Sequence, residues 1–430
     1  VARLEDAGIG TVLKKLTVVG AGWAGLAAAV HAVQQGWQVR LLEAAPQVGG
    51  RARRVMHQGL PLDNGQHILI GAYRETLQMM RAVGIDTDQH LWRLPLNLRR
   101  PDGRGLQLPA WPAPWNMLAA IMLAKGWGWR DKLSLGGHAL RWRLNHFQAP
   151  PDMSVAMLCR DLPAAVMSLL IEPLCVSALN LPPAQASAQV FLRVMQDALA
   201  GGAGSSDMLI PRTDLSSLWP DAAVHWLAQH GADVETGCHV QSLDAWLTAP
   251  VVLACPAWEA ARLTAGIEPT WSAQTHALTH TAITTVYVKA NQPLDWQSPV
   301  MALHSDAHAP AQFAFDKGQL SPNPEMQGVL AMVVSASTHD RQTTTEAVLW
   351  QAKHQLGLGQ ASALLTVVEK RAAFACEPGV RRPSAWVRQG LVACGDYIDG
   401  PYPATLEGAV QSGLHAVTLL SHKRMGENKA

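Results

Sequence analysis

Residues 16–25 read LTVVGAGWAG, an apolar strand running into Gly20-x-Gly22-x-x-Gly25. A small-residue helix follows (LAAAVHAVQQ, 26–35), then a second apolar strand at 39–42 that ends at Glu43. Gly20 permits the tight strand-to-helix turn, Gly22 lets a pyrophosphate approach the backbone, and Gly25 lets the helix pack against the sheet. The phosphates then sit at the positive end of that helix. Glu43 lies 23 residues beyond Gly20, where a carboxylate accepts hydrogen bonds from adenosine ribose hydroxyls. A GxGxxG alone is common; with strand, helix and acidic residue around it, the stretch reads as a Rossmann-type dinucleotide site.

The bulk numbers narrow the partners. A chain of 430 residues predicts two intertwined domains. The net charge is +1 without a basic block, so a nucleic-acid partner has no support. Charged residues make up only 16% and apolar residues 48%, which suits either an apolar partner or simply an alanine- and leucine-rich chain. Six scattered cysteines without a CxxC point to a reducing compartment, and seventeen histidines without an HExxH pattern leave a metal site unsupported. The start, VARLEDAGIGTVLKK, carries both signs of charge and no apolar core, unlike a secretory signal. The apolar run at 117–124 is too short to span a bilayer, so the expected location is cytoplasmic, soluble or peripheral on a membrane.

Further along, QVGGRAR (47–53) sets two glycines before Arg51, a flexible loop with one fixed positive charge suited to a diphosphate. LDNGQHILIGAY (62–73) is polar within an apolar setting, as expected where a ligand is met. Six tryptophans fall between Trp92 and Trp142, and LPAWPAPWNMLAAIMLAKGWGWRDKL (108–133) mixes them with prolines and basic residues. Such a stretch either lies in a bilayer interface or lines a core. Residues 154–200 read as helices broken at prolines, and 201–206 as a linker. A helix over 215–229, strands at 232–235 and 239–243, and the run 251–256 follow; the link from Leu243 to Val251 is short. Strands are predicted at 282–289 and 328–335. Finally, LVACGD (391–396) is a strand closing on Gly395-Asp396, and a helix opens near Thr405, offering backbone donors to an anion.

Three blocks together resemble the FAD-dependent amine oxidase and phytoene desaturase superfamily: VVGAGWAGLAAA with LLEAAPQVGGRARR, LDNGQHILIGAY, and LVACGDYIDGPYPATLEGAVQSG. Within it the chain is most similar to the squalene-associated FAD-dependent desaturases, the hydroxysqualene dehydroxylases of bacterial hopanoid synthesis. That narrower match rests on residues 63–73, on Glu172-Pro173-Leu174-Cys175 with Leu179-Asn180, on ASAQVF (186–191) and on CPAWEAA (255–261). The resemblance implies an α/β fold: a Rossmann-type FAD-binding domain (1–84, 208–265 and 381–430) interleaved with an α+β substrate domain. The latter comprises a helical, membrane-contacting part (85–207) and a sheet with a helix (266–380).

The resemblance further implies that Gly20, Gly22, Ala24 and Gly25 hold the pyrophosphate, with Glu43 and Ala44 at the ribose. Gly50 and Arg51 approach the diphosphate and ribityl chain, and Gly65, Gln66 and His67 run past the isoalloxazine ring. Val240 meets the adenine, Gly395 and Asp396 the ribityl or phosphate side, and Leu406, Glu407 and Ala409 the pyrimidine carbonyl. Two departures weaken an amine-oxidising role: Thr405 stands where amine oxidases carry a cage tyrosine, and AITTVY (282–287) lacks their lysine. The implied reaction is reductive loss of an allylic hydroxyl from a long-chain isoprenoid, with an unidentified electron donor reducing the flavin. Its general acid is sought among Asp63, His67, Glu172 and Tyr73. An oxidative desaturase and a flavin-free isoprenoid carrier are the alternatives.

Overall fold

The structure, a computed structural model, describes residues 14–111, 115–200 and 202–427. The reading of the chain's start falls mostly on residues 1–13, outside the described residues. Strand β1 (Lys14–Val19), the helix Trp23–Gln34 and β2 (Trp37–Glu43) form the opening unit. The hairpin β3 (Arg54–His57) and β4 (Leu60–Asp63) follows, then β5 (Leu69–Ile70) and β6 (Leu91–Leu94). A helical stretch leads to β7 (Met208–Pro211), β8 (Asp233–Thr236) and β9 (Val251–Leu253). Five strands come next: β10 (His280–Lys289), β11 (Val300–Ala302), β12 (Phe313–Asp316), β13 (Val329–Ser335) and β14 (Ser362–Phe374). The short strands β15 (Trp386–Arg388) and β16 (Leu391–Ala393) precede the final helix, Leu406–Glu427.

The six-stranded sheet has the order β15-β16-β9-β1-β2-β8, so its strands come from three distant stretches of chain. All its pairings are parallel except β15 with β16. Its central strands β9 and β16 are buried at every position, which is why they read as unbroken apolar runs. The helix Trp23–Gln34 is buried on nearly all sides, and its small residues let the final helix approach closely. A Cβ on Gly413 would stand 2.3 Å from the Ala24 carbonyl oxygen. Larger residues would force these two backbones apart.

The second sheet is antiparallel, ordered β11-β12-β13-β10-β14. Alternation along its strands separates two cores. Val286, Val288, Leu330 and Met332 face the helix Arg341–Leu356 through Val348 and Ala352. Tyr287, Phe313, Phe315 and Ala331 face the helical layer and the parallel-sheet half.

Two local expectations are corrected. The helix predicted over 215–229 breaks at Trp219 (φ −154°, ψ −47°) into Leu215–Leu218 and Pro220–Gln229. Proline disfavours helical geometry in the residue before it, and the bend sends Trp219 into the core against Trp23, ring centroids 5.0 Å apart. Residues 239–243 form no strand. The short link to β9 closes as a turn in which Trp246 and Leu247 donate to the Leu243 carbonyl.

Candidate active site

A cavity of about 630 Å³ runs from the Gly20 turn to the antiparallel sheet. At its first end β1 delivers Gly20 with φ +106°, and a Cβ there would strike the Ala254 carbonyl oxygen at 2.7 Å. A Cβ on Gly25 would stand 1.9 Å from the Gly20 carbonyl oxygen, so only glycine lets the helix begin there. Gly25 therefore acts from beneath, in packing, while Gly20, Gly22 and Ala24 line the cavity itself. The Gly49-Gly50 loop lies back to back with this turn: Gly49 donates to the Ala21 carbonyl at 2.8 Å, and a Cβ on Gly50 would come within 3.1 Å of Gly22 Cα. Trp23 Nε1 donates to the Ala52 carbonyl at 3.1 Å, pinning the second loop to the first helix.

Glu43 ends β2 with its carboxylate against that turn. Oε2 accepts from the Ala21 N–H at 2.7 Å and Oε1 from the Ala45 N–H at 2.8 Å. Ala44 lines the cavity beside it, and Val240, 6% exposed, closes the same end. The Val240 carbonyl already accepts from Arg262 Nη2 at 2.8 Å, so the loop that bears it is held in place.

In the middle, Arg51 Nη2 donates to Asp396 Oδ1 at 2.5 Å and Nη1 to the Ala372 carbonyl at 2.6 Å. The pair joins the first loop, β14 and the chain after β16 at one point, and both residues line the cavity with Gly50 and Gly395. Asn64 Nδ2 adds a 3.0 Å bond to Glu369. The Tyr397 hydroxyl, buried at the cavity wall, finds no partner among the described residues.

The far end brings together Gly65, Gln66, His67 and Tyr73 with Leu179, Asn180 and Ile283 from the helical layer and β10. His67 Nδ1 lies 2.8 Å from the Gly65 carbonyl, so it carries the proton and Nε2 keeps the lone pair. Burial pushes this imidazole below its ordinary range. Burial likewise pushes the Tyr73 phenol well above its usual range, and its hydroxyl hydrogen-bonds Thr405. Thr405 Oγ1 also accepts from the Gly408 N–H at 3.1 Å, so the residue in the cage-tyrosine position caps the final helix.

Three expected site residues lie elsewhere. Glu407 is fully buried, but its carboxylate turns to the helix Arg74–Ala82, accepting from the Glu75 and Thr76 N–H groups and from Thr76 Oγ1 at 2.7 Å. It braces a helix N-terminus, while its neighbours Leu406 and Ala409 line the cavity. Glu172 is exposed at the head of the helix Glu172–Leu179 and does not line the cavity. Asp63 closes β4 with its side chain behind the cavity wall, 1% exposed. There Oδ1 accepts from the Leu215 N–H at 2.7 Å and Oδ2 faces Lys317 Nζ at 3.4 Å. Burial drives the Asp63 carboxyl upward, with Lys317 and the Leu215 N–H pulling back in part.

Sequence reading missed Lys317, which begins the short helix Lys317–Leu320 after β12 and stands 254 residues from Asp63. It also missed Tyr397, although that residue follows Gly395-Asp396 directly. Among the described residues no group of three His, Cys, Asp or Glu side chains is arranged to hold a metal. Also among them, no helix is long and apolar enough to cross a membrane.

The glycine-only turn, the paired loop, the Glu43 bracing and the unpartnered Tyr397 hydroxyl all fit a long polar ligand with a diphosphate at its middle. Fold and site thus define a dinucleotide-binding protein. A match to the flavin containing amine oxidoreductase family spans residues 23–421, and the chain belongs to that family. Its cofactor is FAD.

The chain is 25% identical to a hydroxysqualene dehydroxylase of Rhodopseudomonas palustris, over 95% of this chain and 98% of that one. It is 26% identical to a protein of the same name from Zymomonas mobilis, over 94% and 99%. A hydroxyneurosporene desaturase of Rhodobacter capsulatus is 40% identical, but over only 22% of this chain and 19% of its own. Among solved structures, an oxidoreductase from Methanosarcina mazei superposes with a TM-score of 0.69 at 18% identity, over 94% of this chain and all of that one. Putrescine oxidase with bound putrescine gives 0.70 at 16% identity, over 96% and 99%. At such identities these two share the fold.

Proposed function

We propose that this flavoenzyme removes the hydroxyl of hydroxysqualene reductively, giving squalene and water, and that it does so at the cytoplasmic surface of a membrane. The observation that carries the reading is likeness along nearly the whole chain to three relatives named for that reaction. Ile68, Leu179 and Ile283, apolar residues among the polar ones at the far end of the cavity, support an isoprenoid chain as occupant. Thr405 supports it further, since this helix-capping side chain supplies no aromatic ring for an amine cage.

Reduced flavin, when bound, supplies a hydride, and an electron donor of unassigned class replenishes it. The chain's own task is to help the oxygen leave. Hydroxide is a poor leaving group, so a proton must reach the oxygen as the C–O bond breaks. Of the four candidate acids, only Tyr73 and His67 line the cavity. His67, held neutral by burial, offers a lone pair at Nε2 and orients the substrate hydroxyl by accepting from it. Tyr73, whose phenol stays protonated, donates to the departing oxygen. The buried wall excludes water from the allylic cation that results. Balanced, the alcohol gains one hydride and one proton and releases water.

The test is product mass. Incubation of the reduced, anaerobic holoenzyme with hydroxysqualene should yield squalene, and the Tyr73→Phe variant should lose roughly 10²-fold in rate. A product that keeps the oxygen and gains a double bond under oxidising conditions would assign the chain to desaturation, which the partial likeness to hydroxyneurosporene desaturase favours. Unchanged turnover in Tyr73→Phe would remove that residue from proton donation.

A further inference from the structure

We propose that the outer faces of the helices Trp115–Leu123 and Trp129–Leu144 form one platform that seats the protein on an anionic lipid bilayer. This deepens the membrane-surface reading above and names the face and the lipid.

The helix Trp129–Leu144 is apolar on two opposite sides. Leu135, His138 and Trp142 are buried against the molecule. Trp129, Leu133, Leu140 and Leu144 are all exposed, Leu133 at 73% and Leu144 at 68%. At about 100° per residue these four fall within about 60° of one another, on the side opposite the buried three. The same projection places Arg130 and Arg141 along one margin of the exposed stripe, and Lys132 and Arg143 along the other. Basic side chains flanking an apolar stripe on both sides match a helix lying in the plane of a bilayer interface, its apolar side in the acyl region and its cations among phosphates.

The neighbouring helix, which carries no charged residue, adds to the apolar surface. Ala120 is its buried residue, while Trp115, Leu118, Met122 and Leu123 are exposed. Lys132 Nζ donates to the Met122 carbonyl at 2.5 Å and stands 5.5 Å from the Trp129 ring centroid, tying the two helices together. Trp111, also exposed, adds a third interfacial ring. Of the twelve large apolar residues that stand exposed among the described residues, nine lie in this one stretch, 111–144, so the patch is local.

Charge decides between occupants. Residues 111–144 carry five basic side chains (Lys125, Arg130, Lys132, Arg141 and Arg143) against one acidic, Asp131. Asp131 is itself occupied, its Oδ2 accepting from the Gly128 N–H at 2.8 Å. Two copies meeting through this face would crowd like charges, whereas anionic headgroups complement them. The platform is also continuous with the site. Its buried side, through Ala120, Trp127, Leu135 and Trp142, shares one core with Leu179, which walls the far end of the cavity. A lipid-soluble substrate thus has the bilayer on one side of this layer and the cavity on the other.

The experiment is flotation of the FAD-loaded full chain with vesicles of phosphatidylethanolamine and phosphatidylglycerol. Wild type is expected to float with them, and to bind roughly tenfold or more weakly at high salt. The triple variant Trp129→Ser, Leu133→Gln, Leu140→Gln should lose binding by a similar factor, and so should Arg130→Gln, Arg141→Gln, Arg143→Gln. Retained flavin absorbance and equal turnover of detergent-dispersed hydroxysqualene would show both variants folded. Unchanged flotation of the apolar variant, or no flotation of wild type, overturns the proposal. So does a concentration-dependent dimer that the apolar variant abolishes. Absence of detergent turnover in wild type would instead fail the dehydroxylase reading and leave the docking result standing.

Discussion

Lys317 Nζ stands 3.4 Å from Asp63 Oδ2 and 3.2 Å from Gln66 Oε1, with the lysine side chain 5% exposed and the aspartate 1%. This buried pair joins the end of β12 to the strand that leads into the Gly65-Gln66-His67 wall. The Tyr287 hydroxyl reinforces it, accepting from the Asp63 N–H and donating to the Asp63 carbonyl, each at 2.9 Å. The polar content of LDNGQHILIGAY is thus divided: Gly65, Gln66 and His67 face the cavity, and Asp63 anchors them from behind.

Removing one member of this pair should cost far more than removing both. Lys317→Met leaves Asp63 buried opposite no cation, and a loss of about 3–5 kcal/mol is expected. Asp63→Asn, which keeps an acceptor for the Leu215 N–H, should still strand Lys317. The double variant Asp63→Asn, Lys317→Met should recover most of the loss. Denaturant midpoints of the four proteins measure this, and additive losses would show the two groups uncoupled.

Glu43 is expected to act by bracing the turn as well as by meeting a ribose. Glu43→Gln exchanges one acceptor for an amide that opposes an N–H donor, so FAD affinity should fall by about 1–3 kcal/mol. Titration of apoprotein with FAD reads this directly. Gly25→Ala, whose Cβ would sit 1.9 Å from the Gly20 carbonyl oxygen, should abolish FAD binding altogether.

Glu407 should prove structural. Glu407→Ala removes the acceptor for two backbone N–H groups and the Thr76 hydroxyl, all near a helix N-terminus. A loss of about 2–3 kcal/mol is expected, with the FAD absorbance spectrum of the surviving protein unchanged. A large spectral shift at unchanged stability would return Glu407 to the cofactor.

The pH dependence of stability follows from His67. Its folded pKa is depressed below 6.5 by burial, so above pH 6.5 both folded and unfolded chains hold it neutral. Below 6.5 the unfolded chain takes up the proton first, and stability falls until the pH has passed the folded value. His67→Asn keeps a donor to the Gly65 carbonyl without the titration. The drop in melting temperature between about pH 7.5 and about pH 5.5 should therefore be smaller in the variant than in wild type. Equal drops would mean that His67 is not held neutral.

What was legible in the sequence is what short-range geometry dictates. Gly20, Gly22, Gly25, Glu43 and Gly50 act through backbone shape and fixed spacing, and these are written locally. The strands at 391–393 and 282–289 were readable as apolar or alternating runs. What could not be read depends on partners distant in the chain. Asp63 was sought as an acid because nothing local reveals Lys317 or the Leu215 N–H. Glu407 was placed at the cofactor by family resemblance alone, and its side chain points instead to the helix Arg74–Ala82. Residues 239–243 pair with no strand, and the chain turns directly after them at the Leu243 carbonyl. The exposed apolar stripe on the 129–144 helix has the spacing of a core face, and only tertiary placement shows that it is turned outward.

Reductive dehydroxylation is tested by rapid anaerobic mixing of photoreduced holoenzyme with hydroxysqualene while the oxidised-flavin absorbance is followed. The band should return, with one squalene formed per flavin reoxidised. Flavin that stays reduced, with the alcohol recovered unchanged, would contradict it.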